Sequence, residues 1–371
     1  ADRSRGLGDV YKRQRLIVAG AHLSPEFGET VDDIEAAGFP VEERIECLLS
    51  SDTDVGMAKT IGVAVMGLSE TLGRLRPDLL LLVADRYEML APAAAALALR
   101  IPIAHIEGGE ISEGAVDDAV RNALTKISHL HFTPTAASAQ RVLAMGEERW
   151  RVLHVGAPSL DHLTEARVPG ADELASALGF RPTRDHIVVA QHPVTLDDDT
   201  VAEAHALFAA LADRPRVVFC FPNADAGARR IAGMAKDFCE RHPDARVLIN
   251  LAPPLYWGLL REAGMLVGNS SSGIMETGSL GLPTVNIGNR QRGRTRAANV
   301  IDVPARTDEI LGAIARAREP RFRDGLRGMD NPYGDGTAGR RIAEALAAAP
   351  AREALLNNRA LPVEDGRFLH D

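Results

Sequence analysis

Residues 268–294 read GNSSSGIMETGSLGLPTVNIGNRQRGR. The apolar run Met265, Leu266 and Val267 leads into a Gly/Ser turn, Gly268-Asn269-Ser270-Ser271-Ser272-Gly273. A helix-like run carrying Glu276 follows, then a second apolar strand over residues 283–287. Strand, turn, helix and strand in succession form a crossover unit, which is how parallel strands are joined. A Gly/Ser turn opening a helix offers free backbone N–H groups and hydroxyls to an anion. The loop after the second strand holds Arg290, Arg292 and Arg294, and planar guanidinium groups suit phosphate oxygens. Turn, carboxylate and arginine loop together describe a site for a phosphorylated ligand, a nucleotide diphosphate.

The same pattern recurs along the chain. Residues 15–19, 79–83, 103–106, 130–132, 152–155, 187–190, 217–220, 247–249, 265–267 and 284–287 read as strands. Helical runs lie between them, among them 55–75, 88–99, 117–127 and 202–211. Near-continuous apolar strands alternating with helices predict parallel sheets covered on both faces. At 371 residues, with that many strands, the chain exceeds one ordinary core. The fold expected is α/β, two Rossmann-like domains facing a cleft. The polar, Pro- and Gly-containing stretch between Pro158 and Arg184 marks the boundary. The expected division is 1–160, 161–345 and a tail over 346–371. Nearly every polar cluster follows a strand, and ligands of such sheets bind at the carboxyl ends of the strands.

Composition narrows the function. The net charge of −9 argues against a nucleic-acid surface, so an anionic ligand must be held by local arginines. The longest apolar stretches are broken by Asp, Arg or Pro before membrane-spanning length, so no membrane partner is expected. The three cysteines, Cys47, Cys220 and Cys239, show no paired spacing and fit a reducing cytoplasm. The 11 histidines and the acidic loops lack metal-ligand spacing, so no metal is expected.

Six further loops carry the chemistry. They are Asp85-Arg86-Tyr87-Glu88, His105-Ile106-Glu107-Gly108-Gly109-Glu110, Asp117-Asp118 with Arg121-Asn122, Gln191-His192-Pro193-Val194-Thr195, Pro222-Asn223-Ala224-Asp225, and Asn331-Pro332-Tyr333-Gly334-Asp335-Gly336. Taken with residues 268–294, their order and spacing resemble the hydrolysing UDP-N-acetylglucosamine 2-epimerases over roughly residues 15–348. These enzymes open sialic- and legionaminic-acid pathways. The resemblance implies the glycosyltransferase-B architecture, a UDP-sugar substrate, no cofactor, and a homodimer or homotetramer. It implies a reaction in two halves. A proton leaves the second carbon of the sugar as UDP leaves the first, giving a 2-acetamidoglucal, and water then adds with inversion at the second carbon.

That chemistry suits these residues. The proton is not next to a carbonyl, so departure of UDP leads and positive charge builds on the ring. Stabilised diphosphate is needed on one side and carboxylates on the other. The resemblance assigns base, acid and water activation to Asp85, Glu107 and Asp117 or Asp118, without saying which does which. It places His192 against the leaving diphosphate and Arg121 in the catalytic set, although an ion pair within its own helix competes for Arg121. His105 reads as an orienting or packing residue. For the nucleotide it assigns Ser270, Ser271 and Gly273 to phosphate, Glu276 to the ribose hydroxyls, Arg290 to base or phosphate, and Asn223 and Asp225 to the rim. A glycosyltransferase of the same fold would also hold UDP in the second domain but needs an acceptor. A catalytically impaired nucleotide-sugar-binding protein is the third reading.

The family also implies a strand and a Gly-Ser/Thr-Arg loop ahead of residue 15. Residues 1–14, ADRSRGLGDVYKRQ, are basic and show neither. They read as a foreign or damaged terminus.

Overall fold

The computed structural model describes residues 13–27, 29–51, 53–83, 86–113, 116–165, 168–194, 199–221, 228–249, 251–364 and 367–370. The expectations for residues 1–12, Asp85, Asn223 and Asp225 lie outside the described residues. The strands expected from the sequence form, two more join their sheets, and Val363–Glu364 pairs with Arg367–Phe368 in a separate antiparallel sheet.

In the first half, Leu16–Ala19 (β1) pairs in parallel with Val41–Ile45 (β2). Beside them Leu80–Leu82 (β3), Ile103–Ile106 (β4), Leu130–Thr133 (β5) and Val152–His154 (β6) form a parallel sheet in that order. β4 and β5 are buried at every residue, as strands covered on both faces must be. The helix Asp54–Leu75 starts where Thr53 Oγ1 accepts from Gly56 N at 3.0 Å. It ends at Arg76, which takes a left-handed φ of 44°. Its Ala64, Leu68 and Leu72 repeat at four-residue spacing and share one core with Ile45, Leu82 and Ile103.

The second half is one parallel sheet built from Ile187–Ala190 (β7), Val217–Phe221 (β8), Arg246–Ile249 (β9), Met265–Gly268 (β10), Thr284–Ile287 (β11) and Val300–Val303 (β12). Its order is β12-β11-β10-β7-β8-β9, the doubly wound order with its reversal between β7 and β10. Phe208, Phe219 and Phe238 pack on one face, with ring centroids 5.1–6.2 Å apart. Trp257, Leu259 and Leu266 fill the other.

The chain crosses between the two units twice, and the crossings touch. Ala157 N donates to Tyr333 O at 2.8 Å. A Cβ on Gly156 would stand 3.1 Å from Tyr333 O and 3.7 Å from Gly334 Cα. After the second crossing the helix Ala338–Ala347 returns to the first sheet. There Ile342 packs with Ala104, Ile106 and Phe132. The division expected at residue 345 therefore does not follow the cores, since this helix covers the first sheet. We propose a first unit that takes in residues 338–356 and a second that ends near 330. Asp161 carboxylate oxygens accept from Ala338 N (2.9 Å) and Gly339 N (2.5 Å), capping the returning helix from the first crossing.

Candidate active site

The reversal between β7 and β10 builds the second unit's side of the site. Gly268 ends β10 with a φ of +139°, and a Cβ there would stand 2.2 Å from Ala190 O. Only glycine lets the two strand ends lie this close. Asn269, fully buried, then locks the two loops together. Its Oδ1 accepts from His192 N at 2.7 Å, and its Nδ2 donates to His192 O at 2.9 Å and to Glu203 Oε2 at 3.1 Å. The carbonyl of Asn269 accepts from Arg290 Nη1 (3.3 Å) and Gln291 Nε2 (2.9 Å). Glu203 Oε1 accepts from Asn289 N at 3.2 Å, so this buried carboxylate forms the floor of the arginine loop. Nothing in the local pattern around Asn269 or Glu203 marks either as an organiser.

A pocket of about 290 Å³ opens at these strand ends, with His192, Ser270, Ser272 and Glu276 as its polar wall and Tyr256, Trp257 and Leu248 as its apolar wall. Ser159 and His162, from the first crossing, complete it. Tyr256 OH donates to Ser272 Oγ (3.1 Å), and Ser272 Oγ donates to Glu276 Oε2 (2.7 Å). Burial raises the Glu276 carboxyl above the ordinary carboxylate range, while the Ser272 hydrogen bond pulls the other way. Burial likewise raises the Tyr256 phenol. Cys220 also lines the pocket, its thiol pushed up to about 12 by burial, which leaves it inert as a nucleophile.

The rest of the turn and of the arginine loop is placed as follows. Ser271 directs its carbonyl into the following turn, accepting from Ile274 N (3.0 Å) and Met275 N (2.9 Å), and it is Ser272 that joins Glu276. The helix after the turn is only Ser272–Met275, continued as a 3-10 turn over Thr277–Leu280. A helix this short has only a small dipole to offer an anion. None of Arg290, Arg292 and Arg294 is among the residues that line the pocket. Arg292 is exposed and pairs with Glu113 at 3.0 Å. Arg294 is buried and turns to the first unit. Gly273 lies under the turn, where a Cβ would meet Thr284 and Leu266 side chains within 3.0 Å.

The first unit contributes the loop after β4. Glu107 stands at its start, half-buried, with a φ of +68° and its N–H donating to Phe132 O at 2.8 Å. A non-glycine residue in the left-handed region is held there against its preference, a state that clusters at functional sites. A Cβ on Gly108 would meet His105 Nδ1 and Thr125 Oγ1 at 3.3 Å, so the fully buried His105 packs beneath the loop. Asp117 is half-buried at the start of the helix Asp117–Ile127. Asp118 and Arg121 hold the loop. Asp118 Oδ1 accepts from Ser112 N (2.8 Å) and Arg121 Nη1 (3.5 Å); Arg121 Nη1 also donates to Glu110 O (3.1 Å) and Nη2 to Ser112 Oγ (3.3 Å). Among the described residues, no group of three His, Cys, Asp or Glu side chains is placed to hold a metal ion, and no helix is long and apolar enough to cross a membrane.

Two Rossmann-like units with a polar pocket at the switch point of one and a strained carboxylate loop on the other define an enzyme of the glycosyltransferase-B architecture. The family described as UDP-N-acetylglucosamine 2-epimerase matches residues 10–347. This chain belongs to that family. It is similar to the UDP-N,N'-diacetylbacillosamine 2-epimerase (hydrolyzing) of Legionella pneumophila, 36% identical over 92% of this chain and 90% of the relative. It is also similar to the GDP/UDP-N,N'-diacetylbacillosamine 2-epimerase (hydrolyzing) of Campylobacter jejuni, 34% identical over 78% and 76%. The solved structure of the Methanocaldococcus jannaschii UDP-N-acetylglucosamine 2-epimerase with UDP-N-acetylglucosamine and UDP shares the fold. Its TM-score is 0.68 at 17% identity, over 91% of this chain and 100% of that one.

Proposed function

We propose that this chain is a hydrolysing 2-epimerase of UDP-2-acetamido sugars, with UDP-N,N'-diacetylbacillosamine as its preferred substrate. One observation carries the site: the loop of Glu107 and the loop of Arg290 are in direct contact, through Arg294 Nε to Ile111 O at 2.9 Å. This contact supports reading the carboxylates and the diphosphate holders as two sides of one site. The sugar preference rests on the names of the two relatives.

UDP lies in the pocket of the second unit. Glu276 accepts from the ribose, Ser270, Ser272 and Arg290 take the phosphates, and His192 hydrogen-bonds or protonates the leaving diphosphate. Asp85, Glu107 and Asp117 share the proton chemistry. A carboxylate takes the proton from the second carbon; the bond from the first carbon to the diphosphate oxygen breaks, and a double bond forms between the two carbons. Water then adds its hydroxyl to the first carbon, and an acid returns a proton to the opposite face of the second. Asp118 and Arg121 keep the loop in place.

The test is incubation of the chain with UDP-N,N'-diacetylbacillosamine or UDP-N-acetylglucosamine alone in deuterium oxide. UDP and a free 2-epimer labelled at the second carbon are expected, faster from the diacetyl sugar. Unlabelled product would indicate simple hydrolysis. UDP release only on adding an acceptor would indicate a transferase.

A further inference from the structure

We infer that Glu110, Arg294 and Tyr333 are positioning residues that couple the nucleotide-side loop to the loop of Glu107. The inference rests on the functional reading above. It also gives a task to the Asn331–Gly336 motif, which the chemistry leaves unused.

The three side chains come from three separate segments and are all buried. Glu110 belongs to the first unit, Arg294 to the second, and Tyr333 to the second crossing. Glu110 divides its carboxylate between them. Oε1 accepts from Ser138 Oγ and Thr135 Oγ1, within its own unit. Oε2 stands 3.1 Å from Tyr333 OH and 3.9 Å from Arg294 Nε. Arg294 donates from Nε to Ile111 O (2.9 Å), from Nη2 to Ser112 Oγ (3.0 Å) and from Nη1 to Met275 Sδ (3.1 Å). It therefore touches the residue before Glu276 with one arm and the loop of Glu107 with the others. Arg141 bridges the same seam, from Gly109 O (3.0 Å) to Gly293 O (3.4 Å). The seam has no slack: a Cβ on Gly293 would stand 2.4 Å from Ile111 Cγ2.

Burying a carboxylate and a guanidinium is a poor route to stability, since apolar side chains of like volume often serve as well or better. What directional bonds add is a single register between the parts they join. Here the parts are the loop of Arg290, four residues before Arg294, and the loop of Glu107, three residues before Glu110. A diphosphate drawn against Arg290 fixes the first loop, and the clasp passes that fixity to the carboxylate. Small misplacements of a reacting group cost orders of magnitude in rate, so the clasp acts on turnover and not on nucleotide affinity.

The test uses the full chain with Tyr333→Phe, which keeps the ring in its packing, and Arg294→Lys, which keeps the charge but loses the fork. Hydrogen exchange over residues 107–113 is read with and without UDP, beside UDP calorimetry and steady-state kinetics on UDP-N,N'-diacetylbacillosamine. UDP is expected to slow exchange over 107–113 in the parent and much less in either variant. UDP affinity should stay within about twofold while kcat falls about tenfold or more. The double variant should be little worse than the poorer single one, because both break one unit. The inference is overturned if UDP leaves the parent's 107–113 exchange unchanged, if the variants keep parental protection and kcat, or if UDP affinity and kcat fall together. A parent that shows UDP-dependent protection but turns over neither sugar leaves the clasp standing and sinks the functional reading instead.

Discussion

Glu107 carries two loads, a backbone in the left-handed region and the proton chemistry proposed for its carboxylate. Replacing it by glutamine keeps the shape and removes the exchangeable proton. Glu107→Gln should bind UDP as the parent does and turn over about 10²–10⁴-fold more slowly, the usual share of a general acid or base; rates within a few-fold of the parent would remove it from the chemistry. Arg290, on the Asn269 carbonyl, should behave in the opposite way. Arg290→Ala is expected to weaken UDP binding by about 1.5–3 kcal/mol, the worth of a charge-assisted hydrogen bond, and calorimetry showing unchanged affinity would displace it. Glu276 shows what a binding site costs the empty protein. Burial raises its carboxyl, so the folded chain holds its proton more tightly than the unfolded chain does. Its contribution to stability is therefore whole below the ordinary carboxylate range and is lost as pH rises through the raised value. Glu276→Gln should melt higher than the parent at pH 7, with the gap closing toward about pH 4, while UDP affinity drops. Equal melting shifts at both pH values would refute this account.

At the scale of elements, the loop after β4 depends on glycine. Gly109 has a φ of +77°, and a Cβ there would lie 2.2 Å from Ser138 O. Gly109→Ala should cost about 1–3 kcal/mol, as is typical of a strained backbone, and disable turnover; a fully active variant would show that the loop can shift. The same scale shows what the sequence reveals. β4, β5, β7, β10 and β11 are legible because both faces are buried and the run of apolar residues says so. β2 and β12 are missed. β2 reads Val-Glu-Glu-Arg-Ile and lies at a sheet edge, where Glu42 and Arg44 meet water. β12 carries Asp302, which accepts from Asn286 and Arg296 side chains. The site divides in the same way. Ser270, Glu276 and His192 announce themselves by local context and do share one pocket. Glu203 and Asn269 meet across 66 positions of chain, and Tyr333 and Glu110 across 223. No local pattern encodes such pairs. The local sequence of Arg294 suggests a phosphate cation, whereas burial against the other unit decides its partners.

On the whole-molecule scale, the first unit is finished by the end of the chain. Arg151, 1% exposed, fastens that closure: its guanidinium donates to His129 O (3.0 Å), Leu355 O (2.9 Å) and Asn357 O (3.0 Å), gathering the last carbonyls of the helix Arg352–Leu356. Arg151→Met should lower stability by about 3 kcal/mol or more, as loss of a buried, well-bonded charge does, and should open residues 348–357 to limited proteolysis with UDP affinity little changed. Unaltered proteolysis would mean the helix is held by Leu355 alone. The return of residues 338–356 also sets an order of events during synthesis. Phe132, the last of Ala104, Ile106 and Phe132 to be made, precedes Ile342, which covers them, by 210 residues. Until then the first sheet presents an apolar face, the kind of surface that recruits chaperones or aggregates. The second unit, whose strands and covering helices are contiguous in sequence, has no such wait.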